Sequence, residues 1–119
     1  YSQAIVESLK YHMEIAGQIG INVDEGGIVG GGVEAEFRQI LKNLQAILAE
    51  AGWTLEHITR VRIFFTDMND YAAVNAIYTE AFSQYASNMM PPRTAITVKA
   101  LPLGASIEME CTAAGDTIK

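Results

Sequence analysis

The sequence predicts an α+β domain of two layers, with two helices covering one face of a β-sheet. Three observations predict it. Apolar residues recur at helical spacing in two segments, 33–51 and 71–82; period-two segments lie before, between and after them. The chain has 119 residues, 50% of them hydrophobic and 18% charged, which excludes disorder and suffices for one core. Area scaling gives roughly 6,300 Å² of folded surface against about 18,700 Å² unfolded, so about two thirds is buried in a single domain over 1–119.

Taken in order, Tyr11, Met13 and Ile15 alternate with His12, Glu14 and Ala16, which reads as a strand closed by Gly17. A short strand is expected near Ile28–Val29, and the glycines of 26–32 form a turn ahead of a helix. From Val33 to Ala51, Phe37, Ile40, Leu41, Leu44, Ile47 and Leu48 form one stripe. Glu34, Glu36, Arg38, Gln39, Lys42, Asn43 and Gln45 are assigned to the polar side, and Gly52 ends the helix. In Ile58–Thr66, Val61, Ile63 and Phe65 face one way, and Arg60, Arg62, Phe64 and Thr66 the other. Asp67, Asn69 and Asp70 offer caps for a second helix, with Tyr71, Val74, Asn75, Tyr78 and Phe82 on its stripe; Pro91 and Pro92 stop it. Two strands close the chain, around 94–100 and 107–113. They are expected to pair as an antiparallel hairpin turning at Leu101–Gly104. The order is β(β)αβαββ. Phe64 among Arg60, Arg62 and Thr66 leaves the second sheet face half apolar, as though another subunit covers it.

Net charge is −6 and the sequence pI about 4.7, which disfavours nucleic-acid binding. No apolar run nears the roughly 20 residues of a membrane helix, and no signal peptide is expected. The chain opens at Tyr1 rather than Met, so a few preceding residues are expected. The single cysteine, Cys111, excludes an internal disulfide or a Cys-based zinc cage and fits the cytoplasm.

Few residues suggest chemistry. Arg93 follows Pro91-Pro92 at the mouth of a strand, where a rigid turn can aim its fork at a carboxylate. Glu108 and Glu110 share one face of the last strand, and the expected hairpin brings that face near Arg93; a carboxylate there can hold or deprotonate a water. His12 and His57 have no acidic partners at ligand spacing, so no metal is assigned. Ser2, Ser8, Ser83, Ser87 and Ser106 lack a nucleophile context, and the glycines of 26–32 lack a phosphate-loop pattern. Cys111 and Trp53 read as packing residues.

Several segments together resemble the RidA (YjgF-type) reactive imine deaminase family. They are Tyr1-Ser2-Gln3-Ala4, Ala16-Gly17-Gln18-Ile19, Arg38 to Gly52, and Thr66-Asp67-Met68 with Tyr71, Val74-Asn75 and Tyr78. Most specific is Pro92-Arg93-Thr94 followed by Ala100-Leu101-Pro102-Leu103-Gly104-Ala105 and Ile107-Glu108-Met109-Glu110. The resemblance covers essentially the whole chain and implies a chorismate-mutase-like βαβαββ fold. It further implies a homotrimer around a central β-barrel, three sites in clefts between subunits, and no cofactor. The implied activity is hydrolysis of 2-imino acids or their enamines, such as 2-iminobutanoate and 2-iminopropanoate, to 2-oxo acids and ammonia.

By position, the resemblance makes Arg93 the carboxylate-binding residue and Glu108 the one that places the water. Tyr1, Gly17 and Asn75 line the site, and Ala95 stands where many members carry Cys. The segments 3–17 and 75–93 look slightly longer than usual. The resemblance also admits a non-catalytic, ligand-binding regulatory trimer, or a deaminase for a larger substrate such as 2-aminomuconate. An endoribonuclease, a name the family has carried, is disfavoured by the acidic balance and the lack of a basic-aromatic strip.

Overall fold

Alternation builds the sheet and the helical stripes cover it. The computed structural model describes residues 1–84 and 90–119; Ser87 and part of the 75–93 segment lie outside them. The elements are β1 (Tyr11–Gln18), β2 (Ile21–Asn22), β3 (Gly27–Ile28), α1 (Gly32–Ala49), β4 (Ile58–Phe65), α2 (Tyr71–Ser83), β5 (Arg93–Thr97) and β6 (Ile107–Gly115). The main sheet has the order β1-β6-β4-β5, with β4 and β5 parallel and the other pairs antiparallel. β2 and β3 form a separate small hairpin, so the expected short strand has its partner outside the main sheet. Among the described residues, no helix is long and apolar enough to cross a membrane.

The core lies between the sheet and both helices. Phe37, Ile40, Leu44 and Leu48 of α1 and Val74, Ile77, Tyr78 and Phe82 of α2 bury against Val61, Ile63, Phe65, Ile107 and Met109. Gly52 ends α1 as the sequence predicts. At φ 78° it donates to the Ala49 carbonyl (2.9 Å), and Trp53 N–H reaches back to Leu48 (3.0 Å), the six-to-one closure that a left-handed glycine permits.

Two expectations are corrected. Glu36 is not on the solvent side of α1: it is buried, and its Oε1 accepts the Ser106 N–H at 2.8 Å. A buried carboxylate needs such a donor, and here it ties the first turns of α1 to the approach to β6. Glu36→Ala leaves that amide unpartnered. The expected loss is about 1–3 kcal/mol, read from urea unfolding, with Glu36→Gln, which keeps an acceptor, losing less.

The second correction concerns β5 and β6, which do not pair. β5 lies beside β4, from Val61↔Arg93 to Phe65↔Thr97. The Val98 N–H then donates to the Phe65 carbonyl (2.8 Å), which holds the chain on that edge. It next rounds the end of β4 through a 3-10 turn, Pro102–Gly104, with Leu103 and Gly104 left-handed (φ 58° and 72°). Thr66 N–H donates to the Ser106 carbonyl (3.2 Å), which delivers β6 to the opposite edge of β4. The expected hairpin therefore has β4 in its middle.

Candidate active site

Arg93 is the first residue of β5, and its backbone is pinned on both sides. Val61 N–H donates to the Pro92 carbonyl (3.0 Å) and Ser2 N–H to the Pro91 carbonyl (3.3 Å). Arg93 is paired with buried Val61, so its side chain lies on the helix-covered face, where α2 receives it. Nη1 donates to Asn75 Oδ1 (2.8 Å) and Nη2 to the Tyr71 hydroxyl (2.7 Å). The rings of Tyr78, Tyr1 and Tyr71 lie 4.5, 5.0 and 5.6 Å from the guanidinium carbon. Rings and neutral acceptors position the charge without cancelling it. Among the described residues no carboxylate pairs with Arg93.

The rest of this cluster is as local. Ala95 follows on the same face, paired with Ile63, and packs against the core. Tyr1 is 62% exposed, so its ring is accessible from solvent while it faces the guanidinium. The Tyr78 hydroxyl is buried without a hydrogen-bond partner, and burial pushes its pKa above the ordinary phenol value against the pull of Arg93; it is neutral. Tyr1, Ser2, Gln3, Arg60, Arg93 and Thr94 border a cleft of about 340 Å³.

Glu108 occupies a different place. It is paired with Phe64 and alternates with buried Ile107 and Met109, so it projects from the uncovered face. Its neighbour Glu110 is held by Arg62 (Nη1 to Oε1, 3.0 Å), whereas no ion pair engages Glu108 among the described residues. Gly17 sits in the irregularity of β1 between Ile15 and Gln18. A Cβ on Gly17 would come within 2.6 Å of Glu108 Oε2, so glycine makes room for that carboxylate. Gly17→Ala is therefore expected to displace Glu108 while leaving the urea midpoint nearly unchanged, because the obstructing atom ends a flexible side chain.

One chain thus carries two separate clusters of candidate residues and does not join them. Arg93, Tyr1, Asn75 and Ala95 gather on the helix side at the β5 edge; Glu108 and Gly17 gather on the other face, two strands away. That separation is about 10 Å across the strands and about 10 Å along them, on opposite faces. The proximity expected from a β5–β6 hairpin is absent within the chain because β4 intervenes. Sequence reasoning left Tyr71 and Tyr78 as core residues. The available signal was Asn75, a polar residue on an otherwise apolar stripe. The histidines are structural: His57 stacks on Trp53 (5.2 Å) and accepts the Thr54 N–H, and His12 bonds the Leu9 carbonyl. Cys111 is buried, its thiol pushed up to about 12 by desolvation and then by Glu110.

Comparison with known proteins places this architecture. The family model described as endoribonuclease L-PSP matches residues 1–115. A RutC family protein of Pyrococcus horikoshii is 40% identical over 95% of this chain and 85% of its own length. The human 2-iminobutanoate/2-iminopropanoate deaminase is 39% identical over 95% of this chain and 78% of its own. A solved Yersinia pestis structure of the conserved Rid protein family superposes with a TM-score of 0.81 at 39% identity, covering 96% of this chain and 86% of that one. The fold is that of a Rid-type α+β domain. The chain belongs to the endoribonuclease L-PSP family, which includes the RutC and Rid proteins it resembles in sequence.

Proposed function

We propose that this protein hydrolyses small 2-imino acids, such as 2-iminobutanoate and 2-iminopropanoate, to 2-oxo acids and ammonia. The observation that carries the proposal is Arg93, a guanidinium fixed by Asn75 and Tyr71 and flanked by rings, with its charge left for a ligand carboxylate. The deaminase name of the human relative supports the same reading.

The active form is a homotrimer, with each site made where the Arg93 edge of one chain meets the Glu108 face of the next. Two features support this. The separated clusters need a second chain to become one site, and the uncovered face carries the apolar pair Phe64 and Ile96, the latter 44% exposed. The ligand needs no cofactor, and the lone buried thiol fits a cytoplasmic protein.

In the reaction Arg93 grips the substrate carboxylate and fixes C2 against a water held by Glu108. The water oxygen bonds to C2 as the C=N π pair moves to nitrogen, and Glu108 takes the water proton. The carbinolamine then collapses: Glu108 returns its proton to the nitrogen, the C–N bond breaks, and C=O forms as the hydroxyl proton passes to Glu108, which gives it up to the departing ammonia as ammonium. A protonated imine is already electrophilic, so positioning and proton transfer suffice. The test generates 2-iminobutanoate with threonine dehydratase and follows its decay. The wild-type protein is expected to accelerate hydrolysis beyond buffer, and an unchanged rate would refute the activity.

A further inference from the structure

We propose that the Tyr71 hydroxyl donates a hydrogen bond to the heteroatom on C2 of the bound acid, so that Tyr71 reads the 2-imino or 2-oxo group while Arg93 holds the carboxylate. The inference rests on the deaminase reading and adds a ligand contact to it. Tyr71 opens α2 and Asn75 stands one turn further on, so both bring their polar ends to Arg93. The Tyr71 ring is fixed: it is partly buried against the core and tilted on Phe65, with centroids 6.1 Å apart.

A guanidinium carries five N–H donors and no acceptor. At the 2.7 Å contact the Tyr71 oxygen therefore accepts from Nη2, and its own hydrogen points elsewhere. Among the described residues no acceptor takes that hydrogen. Asn75 and Tyr71 take two of the five Arg93 donors, which leaves three, one of them on Nη2, for a carboxylate. Two oxygens on the two hydrogens of one such nitrogen stand roughly 5 Å apart, so the hydroxyl does not bond a carboxylate oxygen held there. The C2 heteroatom, planar with the carboxylate, projects into the gap between them. A neutral imine nitrogen and the oxo oxygen that replaces it both carry an in-plane lone pair, so one donor serves substrate and product. Water attacks C2 from above that plane, so the contact and the water held by Glu108 do not compete for space. Tyr78, the ring nearest the guanidinium, cannot share the task, because its hydroxyl is buried.

The test compares 2-oxobutanoate with butanoate, which keeps the carboxylate and lacks the C2 acceptor. Both are titrated into the wild type and Tyr71→Phe and followed by NMR chemical shift, which reads weak affinities. Phenylalanine keeps the ring on Phe65 and removes only the hydroxyl. The wild type is expected to prefer 2-oxobutanoate by about three- to tenfold, the effect of one neutral hydrogen bond. In Tyr71→Phe the preference falls to near one, whatever affinity both acids lose together through a looser Arg93. A tyrosine that only held Arg93 would weaken both acids alike and keep the preference. That result, or equal affinities in the wild type, overturns the inference. Wild-type hydrolysis of 2-iminobutanoate is measured in parallel. Hydrolysis with an undiminished preference in Tyr71→Phe refutes only the Tyr71 contact, whereas no hydrolysis and no binding of either acid refutes the deaminase reading with it.

Discussion

Arg93→Ala is expected to slow 2-iminobutanoate hydrolysis by about ten- to a hundred-fold, the effect of losing one charge-assisted bond of roughly 1.5–3 kcal/mol to the substrate carboxylate. Misorientation is expected to add to the loss, because in the proposed reaction the same side chain sets C2 against the water. Arg93→Lys keeps the charge and loses the fork, so it recovers only part of the rate. Asn75 and Tyr71 hold the guanidinium at 2.8 and 2.7 Å, and a lysine ammonium cannot satisfy both acceptors and a bidentate carboxylate in the same plane. Wild-type rates in both variants, with circular dichroism unchanged, would remove Arg93 from the site.

Glu108→Gln is the second large effect. It keeps the shape and removes the proton acceptor, and general-base catalysis of this kind contributes about a hundredfold or more. Glu108 is half-buried and outside any ion pair among the described residues, so the fold is expected to tolerate the change. Glu110 is the internal control. Arg62 holds it at 3.0 Å, so Glu110→Gln is expected to alter turnover far less. Equal losses in the two variants would point to a general electrostatic effect of the strand rather than to a water held by Glu108.

Local order was legible in the sequence, and long-range placement was not. The α1 stripe and its closure at Gly52 follow from spacing and from one glycine's tolerance of positive φ. The face of β4 carrying Val61, Ile63 and Phe65 follows from alternation. Glu36 could not be read this way: its helical position suits solvent, and its partner amide at Ser106 is 70 residues away. The neighbour of β5 was equally hidden, since its alternation is the same beside β4 or β6, and the turn at Leu103–Gly104 decides between them. Arg93 and Glu108 were singled out from residue type and resemblance, but the aromatic and amide cradle from α2 emerges only when Tyr71, Asn75 and Tyr78 are seen to converge on β5. The separation of the two clusters follows from strand order, which local patterns do not encode.

The most direct measurement of whether neighbouring chains share a site is complementation between Arg93→Ala and Glu108→Gln. The two variants are unfolded and refolded together at equal amounts, then assayed for 2-iminobutanoate hydrolysis. If Arg93 comes from one chain and Glu108 from the next, random trimers rebuild an intact site at about one quarter of the interfaces, and activity rises to about a quarter of wild type. Activity no higher than the mean of the separate variants would contradict a site shared between chains.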